Sequence, residues 1–361
     1  MDCKIFFEDV LTEKYNITSP DSTYYASVKK RWDNAAKPLD SLGIFEDIIA
    51  RMGSILKTDD LKLDKKAVIV MCADNGVVEE GISQSGSDVT LAVASAMGEN
   101  KSSVCRMAAV NNTKIIPVDI GIKSDEIIPG VLDRKVAKGT RNFAKEPAMT
   151  KEEMCCAIQI GMDMVSDLKH EGYSLIGTGE MGIGNTTTSS AVAMALLKRD
   201  AKELVGRGAG LSDEGLDKKK SVISDALKKY ELNGPDADVL TILQTVGGLD
   251  IAGLVGVIIG GAVYHIPIVL DGVISAVAAL VAVRIFPGVK DYIFASHIGR
   301  EPAMKYIFEE LELKPVIFGE LALGEGTGAV MMFSLLDMAL SLYNEQTTFE
   351  DIKIEAYKRF I

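Results

Sequence analysis

Short apolar, β-branched runs alternate along this chain with longer stretches of helical period. "AVIVMCA" (67–73), "TKIIPVDI" (113–120), "YSLIG" (173–177), "IPIVL" (266–270) and "YIFAS" (292–296) read as strands bounded by turn residues. Helical patterns fall near 88–108, 151–170, 185–198, 216–230, 250–263, 272–285 and 299–311. Strands without polar alternation, set between helices, predict a parallel sheet covered on both faces. The expected fold is therefore α/β, a Rossmann-like parallel sheet spanning 61–329. Residues 1–60 carry no strand signal, and the chain from about 330 onward also reads as helical. A small helical subdomain built from 1–60 and 330–361 is expected. No fixed-period repeat or low-complexity segment interrupts the pattern.

One stretch imitates a membrane span. "IAGLVGVIIGGAVYHIPIVL" (251–270) is uncharged over the length a bilayer needs, about twenty residues. His265 and Pro267 interrupt it, and Asp271 and Gly272 follow before a second apolar run, "VISAVAALVAV". A Gly- and Ala-rich buried helix, a buried parallel strand and another helix account for the whole of it, so no membrane partner is expected.

Charge narrows the function classes. Among 361 residues, 39 Lys and Arg stand against 51 Asp and Glu, a formal net charge of −12. That is the wrong sign for a phosphate-backbone binder, and nucleic acid is excluded as a partner. The five cysteines (Cys3, Cys72, Cys105, Cys155, Cys156) show no C-x-x-C spacing, and the three histidines are scattered at 170, 265 and 297. No metal site is expected, and the thiols read as reduced, in a cytoplasmic protein. The start, "MDCKIFFEDVLTEKYN", is too charged for a secretory leader.

Chemistry concentrates where strands end, because open α/β sheets bind ligands at the carboxyl ends of their strands. "ADNGVVEEG", "DIG", "GTGEMGIGNTTTSSA" and "LDG" follow successive strands. Within 177–187, Gly177, Gly179 and Gly182 spell a dinucleotide fingerprint. Gly179, Gly184, Asn185 and Thr186 spell a triphosphate loop with Asn in place of its Lys. A third reading is a monophosphate cradle made by Gly182, Gly184 and the amides of Asn185 and Thr186; a fourth is a plain helix cap at Asn185 or Thr186. Glu180 faces an anion awkwardly in the first two. A second glycine element, "LALGEGTGAV" (321–330), sets Glu325 between Gly324 and Gly326 ahead of an apolar helix. Two such turns suggest a site where a phosphate-bearing substrate meets a general base. The competing account of Glu325 is an acidic residue favoured at a helix N-terminus. Asp74 and Asn75 fit a turn as well as a ligand site, and Asp271, after a buried strand, needs a partner.

Together "GEMGIGNTT", "GGLDIAGLVG", "IVLDG", "GREPAM", "LALGEGTGA" and "WDNAAKPLDSLGIFEDI" (32–48) resemble the nicotinate mononucleotide:dimethylbenzimidazole phosphoribosyltransferase family, which activates the lower ligand of cobalamin. The likeness spans nearly the whole chain. It implies transfer of phosphoribose from nicotinate mononucleotide to an aromatic base, yielding nicotinate and an α-ribazole phosphate with inversion at the anomeric carbon, without cofactor or metal. It casts Glu325 as general base, and an oxocarbenium-like transition state then gives Glu180 a place as a second catalytic carboxylate near the ribose. Phosphate and ribose contacts fall on Gly182, Ile183, Gly184, Asn185, Thr186, Ser296, Gly324 and Lys219, with Lys218 and Lys220 as alternatives to the last. Base contacts fall on Ser83, Ser85, Ser87, Asp88 and Leu323, with Asp74 and Asp271 as further candidates. A homodimer is implied, or a heterodimer with a paralogue. Two departures stand out. Ser85, Gly86, Ser87 and Asp88 precede Val89-Thr90 where many members carry Tyr-Pro-Gln, so phenolic or purine bases enter as alternative acceptors. Asp40 stands where the family usually has Gly. A nicotinamide-dinucleotide oxidoreductase is the alternative from another class.

Overall fold

The computed structural model describes residue 15 and residues 17–234 and 237–359. One parallel sheet is formed by β1 (Lys66–Ala73), β2 (Lys114–Gly121), β3 (Leu132–Asp133), β4 (Leu175–Met181), β5 (Ile268–Leu270) and β6 (Ile293–Ala295), in the order β3-β2-β1-β4-β5-β6. The order reverses between β1 and β4, and such a switch point opens a crevice at the carboxyl ends of the two strands. Every residue of β1 is buried, as the unbroken apolar run requires when helices cover both faces. Two further strands, β7 (His297–Gly299) and β8 (Ile317–Leu321), pair in parallel as a separate ribbon that leads into the second glycine turn.

The expected α/β sheet is present, with differences that have local causes. β4 runs four residues past the predicted "YSLIG", because Gly177 and Gly179 are strand residues. A Cβ on Gly177 would lie 2.8 Å from Ala329 Cβ, and one on Gly179 would lie 2.8 Å from the Glu325 carbonyl oxygen. These glycines admit the C-terminal helix and its turn, so the dinucleotide fingerprint does not form a loop here. The helix expected over 88–108 breaks into Asp88–Gly98 and Ser103–Ala108, with Asn100 left-handed at φ 56° and Ser102 Oγ accepting from Cys105 N to cap the second piece. The helix Val239–Val246, capped by Asp238, and strands β3, β7 and β8 were not legible. Beyond Asn344 the described chain holds no helix, contrary to the helical reading of its last residues.

The membrane-like stretch is the helix Leu249–Val263, buried along nearly its whole length, followed by β5. It packs on the helix Lys151–His170 at backbone distance: a Cβ on Gly256 would lie 1.9 Å from Ile158 O, and one on Gly161 2.0 Å from Gly253 O. Its glycines serve close packing in the core, and among the described residues no helix is long and apolar enough to cross a membrane.

The two chain ends meet beside this core. Trp32 stacks on Tyr343 with ring centroids 5.1 Å apart, Tyr343 Oη donates to Asp59 O at 2.8 Å, and Ala35 bridges to Thr348. Asp40 adopts φ 54°, a left-handed conformation that a glycine would take without strain, and its carboxylate pairs with Lys29 at 2.9 Å and Arg359 at 2.7 Å. Cys72, Cys105 and Cys155 are free and buried, whereas Cys156 is disulfide-bonded, which corrects the reading of uniformly reduced thiols. Successive helical residues face different sides, so Cys155 points into the core while Cys156 is only half-buried. The helix expected before residue 15, the leader-free start and the state of Cys3 lie outside the described residues.

Candidate active site

β4 delivers Glu180 to the crevice, its register placing Glu180 opposite Met71 and Met181 opposite Cys72 at the end of β1. The chain then turns through Gly182, Ile183 and Gly184 into the helix Asn185–Leu197. Gly182 passes so close to its neighbours that a Cβ would lie 2.4 Å from Ala73 O and 2.8 Å from Asp250 Oδ2. Gly184 is left-handed at φ 93°, and Ile183 N donates to Thr90 Oγ1 at 3.1 Å. Behind the turn, Lys219 is fully buried and donates to Thr186 Oγ1 at 3.0 Å and Gly206 O at 3.1 Å. Of the three adjacent lysines it is the inward-facing one; Lys218 is exposed and Lys220 half-buried. Burial pulls the Lys219 ammonium down to about 8, against a smaller upward pull from Glu301.

The second turn follows β8. Gly324, Glu325 and Gly326 are all left-handed, with φ 81°, 60° and 92°, before the helix Thr327–Asn344. Buried Asp271, just past β5, accepts from Gly326 N at 3.1 Å and from Gly328 N at 2.7 Å, fastening the turn to the sheet. Glu325 Oε2 accepts from Val104 N at 3.1 Å. His297 packs where Gly328 has no side chain, since a Cβ there would lie 2.0 Å from His297 Nδ1. Burial raises the Asp271 carboxyl, with His297 opposing it, and burial lowers the His297 imidazole, with Asp271 opposing that.

Carboxylates dominate the crevice. Burial lifts Glu180 to about 8; a hydrogen bond from Asn185 opposes the rise, while Asp250, Asp271 and Glu325 add to it. Asp250, fully buried at the start of Leu249–Val263, is lifted to about 6 by burial against hydrogen bonds from Asn185 and its own helix. Asn185 Nδ2 joins them, donating to Glu180 Oε2 and, at 3.0 Å, to Asp250 Oδ2. Buried and crowded, these groups hold their protons more tightly than free carboxylates do, and positive charge appearing on a bound molecule would favour their ionised forms.

A cavity of about 240 Å³ gathers both turns. Glu180, Gly182, Ile183, Asn185, Thr186, Leu323, Gly324 and Glu325 line it. Gly184, Lys219, Ser296 and Asp271 do not line it but adjoin residues that do, while Asp74 has its partners elsewhere. Ser296 is buried with its hydroxyl on His297 Nδ1 at 2.9 Å, and Asp74 accepts from Lys123 N at 2.8 Å, tying the loop after β1 to the loop after β2. Ser83, Ser85, Ser87 and Asp88 do not line the cavity; their loop is held by Gln84 to Gly210 O, and Ser87 reaches Asp74. Sequence reasoning missed Val273, Ile274 and Met304, which make much of the apolar wall, together with Arg300 and Glu301. Three of these stand inside "GREPAM", and Asp250 stands inside "GGLDIAGLVG", motifs noticed but not assigned.

A parallel sheet whose switch-point crevice brings a glycine turn and a carboxylate turn together suits a transferase, and a family model described as phosphoribosyltransferase matches residues 17–354. The chain belongs to that family. Among its relatives, nicotinate-nucleotide–dimethylbenzimidazole phosphoribosyltransferase of Acetivibrio thermocellus is 49% identical over 92% of this chain and 94% of its own length. The protein of the same name from Ruminiclostridium cellulolyticum is 44% identical over 91% of this chain and 93% of its own. The crystal structure of CobT from Thermus thermophilus superposes with a TM-score of 0.87 at 34% identity, covering 93% of this chain and 100% of that one.

Proposed function

We propose that the protein transfers phosphoribose from nicotinate mononucleotide to dimethylbenzimidazole, releasing nicotinate and forming α-ribazole phosphate. The observation that carries this reading is the shared cavity: the cradle at 182–186, with Lys219 behind Thr186, faces Glu325 across one space. The 5′-phosphate rests on the amides of the first turn, at the N-terminus of Asn185–Leu197, where helix dipole and buried ammonium both favour an anion. Ile183, Gly184 and Gly324 shape the backbone around phosphate and ribose, and Ser296 supports the wall through His297.

Nicotinate leaves from a ring nitrogen that is already cationic, taking the pair of the C–N bond as that bond breaks, so no general acid is required. The unprotonated nitrogen of the base attacks the anomeric carbon from the opposite face, which inverts β to α. Glu325 accepts the proton from the other ring nitrogen; with Oε2 held by Val104, Oε1 is the oxygen that takes it. Glu180 meets the ribose and offsets positive charge on an oxocarbenium-like sugar. Fixing both reactants removes much of the entropic barrier. Val273, Ile274, Met304 and Leu323 offer the flat apolar surface an aromatic base needs. A homodimer fits the exposed apolar stripe Met331, Met338 and Leu342 on the last helix. The test is to offer nicotinate mononucleotide with dimethylbenzimidazole, purines and phenols and identify products by mass spectrometry. α-Ribazole phosphate as the main product is expected, and exclusive use of a purine or phenol overturns the choice of acceptor.

A further inference from the structure

We propose that Asp250 is a positioning residue for Glu180, acting through the Asn185 carboxamide. The inference rests on the reading of Glu180 as the ribose-facing carboxylate. Asp250 does not reach the cavity, whereas Glu180 and Asn185 both line it. Its two oxygens are committed to different jobs: Oδ1 accepts from Ile251 N at 2.9 Å, Oδ2 accepts from Asn185 Nδ2 at 3.0 Å, and the Asn75 side chain also hydrogen-bonds the carboxylate. The same Asn185 nitrogen donates its other hydrogen to Glu180 Oε2. An amide nitrogen has two hydrogens, so Asp250 and Glu180 together fix the plane of Asn185, and Asn185 in turn fixes one oxygen of Glu180. Space has been cleared for the arrangement, since a Cβ on Gly248 would lie 2.4 Å from Asp250 Oδ1 and one on Gly182 2.8 Å from Oδ2.

The chain of contacts matters because Glu180 has several like-charged neighbours. Asp250 faces it from the helix Leu249–Val263, Asp271 from the end of β5 and Glu325 from the second turn. His297, Arg300 and Glu301 border the same cavity. Left free, the carboxylate would rotate away from the acidic cluster. Held by Asn185, it keeps one oxygen occupied and presents the other to a sugar bearing developing positive charge. Asp250 also contributes its own charge, so both the orientation of Glu180 and the pH at which it ionises depend on a side chain the substrate never touches.

Two measurements test this, one of which needs no turnover. Glutamate labelled with ¹³C at the carboxyl carbon, with Glu180 assigned through Glu180→Gln, gives the titration of Glu180 in the unliganded protein. Asp250→Asn keeps the shape but removes the charge, and it should move the Glu180 midpoint down by about one pH unit. Should that variant fail to fold, Asn185→Ala should move the midpoint up, because its N–H favours the ionised form. An unmoved midpoint in whichever variant folds overturns the proposal. The second measurement is a double-mutant cycle on kcat for phosphoribosyl transfer. Asp250→Asn should lower kcat about tenfold with KM for nicotinate mononucleotide nearly unchanged, Asn185→Ala, which also alters the cradle, should lower kcat at least as much, and the double variant should have a kcat no worse than the poorer single. Losses that multiply mean Asp250 acts independently, which also overturns it. If the wild type makes no α-ribazole phosphate, the activity reading fails while the titration still decides the link between Asp250 and Glu180.

Discussion

The turn after β4 and the turn after β8 each place a left-handed glycine immediately before a long helix, Gly184 at φ 93° and Gly326 at φ 92°. Both helices point their N-termini into the same crevice, so on geometry alone either turn could cradle an anion. The difference lies in what already occupies them. At the second turn, Gly326 N and Gly328 N are both taken by the buried carboxylate of Asp271, an anion supplied by the protein itself. At the first, the N–H groups of Ile183 and Asn185 go to Thr90 Oγ1 and Gly182 O, and the carboxylates of Glu180 and Asp250 are held by the Asn185 side chain and not by the main chain of the turn. The group behind this turn is the ammonium of Lys219, reaching Thr186. A helix N-terminus with an internal carboxylate is a fastening; one with a buried cation behind it is open to an external anion. On the proposed reading the similar motifs divide the labour, the first offered to the phosphate and the second carrying Glu325.

The most severe way to break this division is Glu325→Gln, which keeps the shape and the acceptor for Val104 but removes the proposed base. Nicotinate release, followed by chromatography, should fall by about 10²- to 10⁴-fold, while nicotinate mononucleotide still binds in a calorimeter. Activity within tenfold of wild type would place the base elsewhere. Next comes Lys219→Met, aimed at the first turn. KM for nicotinate mononucleotide should rise at least about tenfold, with a smaller change in kcat. The unliganded protein should lose nothing in stability, because a buried ammonium held at about 8 instead of 10.5 opposes folding at neutral pH. The unfolded chain retains the extra proton between pH 8 and 10.5, so this contribution to stability rises with pH across that window. Added phosphate should therefore raise the melting temperature more at pH 7 than at pH 10 in wild type, and equally in Lys219→Met.

The acidic side of the crevice gives a smaller effect with the opposite slope. Glu180 sits at about 8 against an ordinary 4.5, and Asp250 at about 6 against 3.8. In both cases the folded state binds the proton more tightly. Their contribution is present below the unfolded values and is lost as pH climbs through the folded ones, from about 4 to 8. Thermal unfolding of the unliganded protein should show stability falling across that range, and Glu180→Gln should flatten the upper part. A wild-type curve with no such fall would mean that neighbouring groups compensate and that the crevice is less hostile to charge than its burial implies.

How much of this was legible depended on whether the cause was local. β1 could be read because all its side chains enter one apolar environment, whereas Glu325 between two glycines fitted a helix-terminal acid equally well, and its expected role as base came from the family resemblance. The break at Asn100 was hidden, since a non-glycine left-handed residue looks like a surface polar residue in a helical run. β7 and β8 were hidden because a short ribbon pairs distant segments through main-chain bonds that leave little mark on side-chain pattern. Gly177 and Gly179 were misleading for a related reason: their space is filled by Ala329 and Glu325, which lie far along the chain. Asp250 escaped notice because a polar residue inside an apolar helix declares itself only when its partner, Asn185, is seen beside it.

The finest test of the contrast asks what each turn tolerates at its left-handed position. On the first turn, Gly184→Ala would put a Cβ 2.7 Å from Val78 Cγ2 and 3.1 Å from Asn75 Cβ in a conformation that L-residues resist, and a loss of about 2 kcal/mol is expected. On the second, a glutamate already stands at φ 60°, strained by about 1 kcal/mol. Glu325→Gly relieves that strain, loses the bond to Val104 N and gains freedom in the unfolded chain, terms that nearly cancel. Urea unfolding should find the variant within about 1 kcal/mol of wild type while transfer is abolished. A loss much larger than that would make Glu325 a structural fastening like Asp271, and the two turns would then differ far less than their chemistry requires.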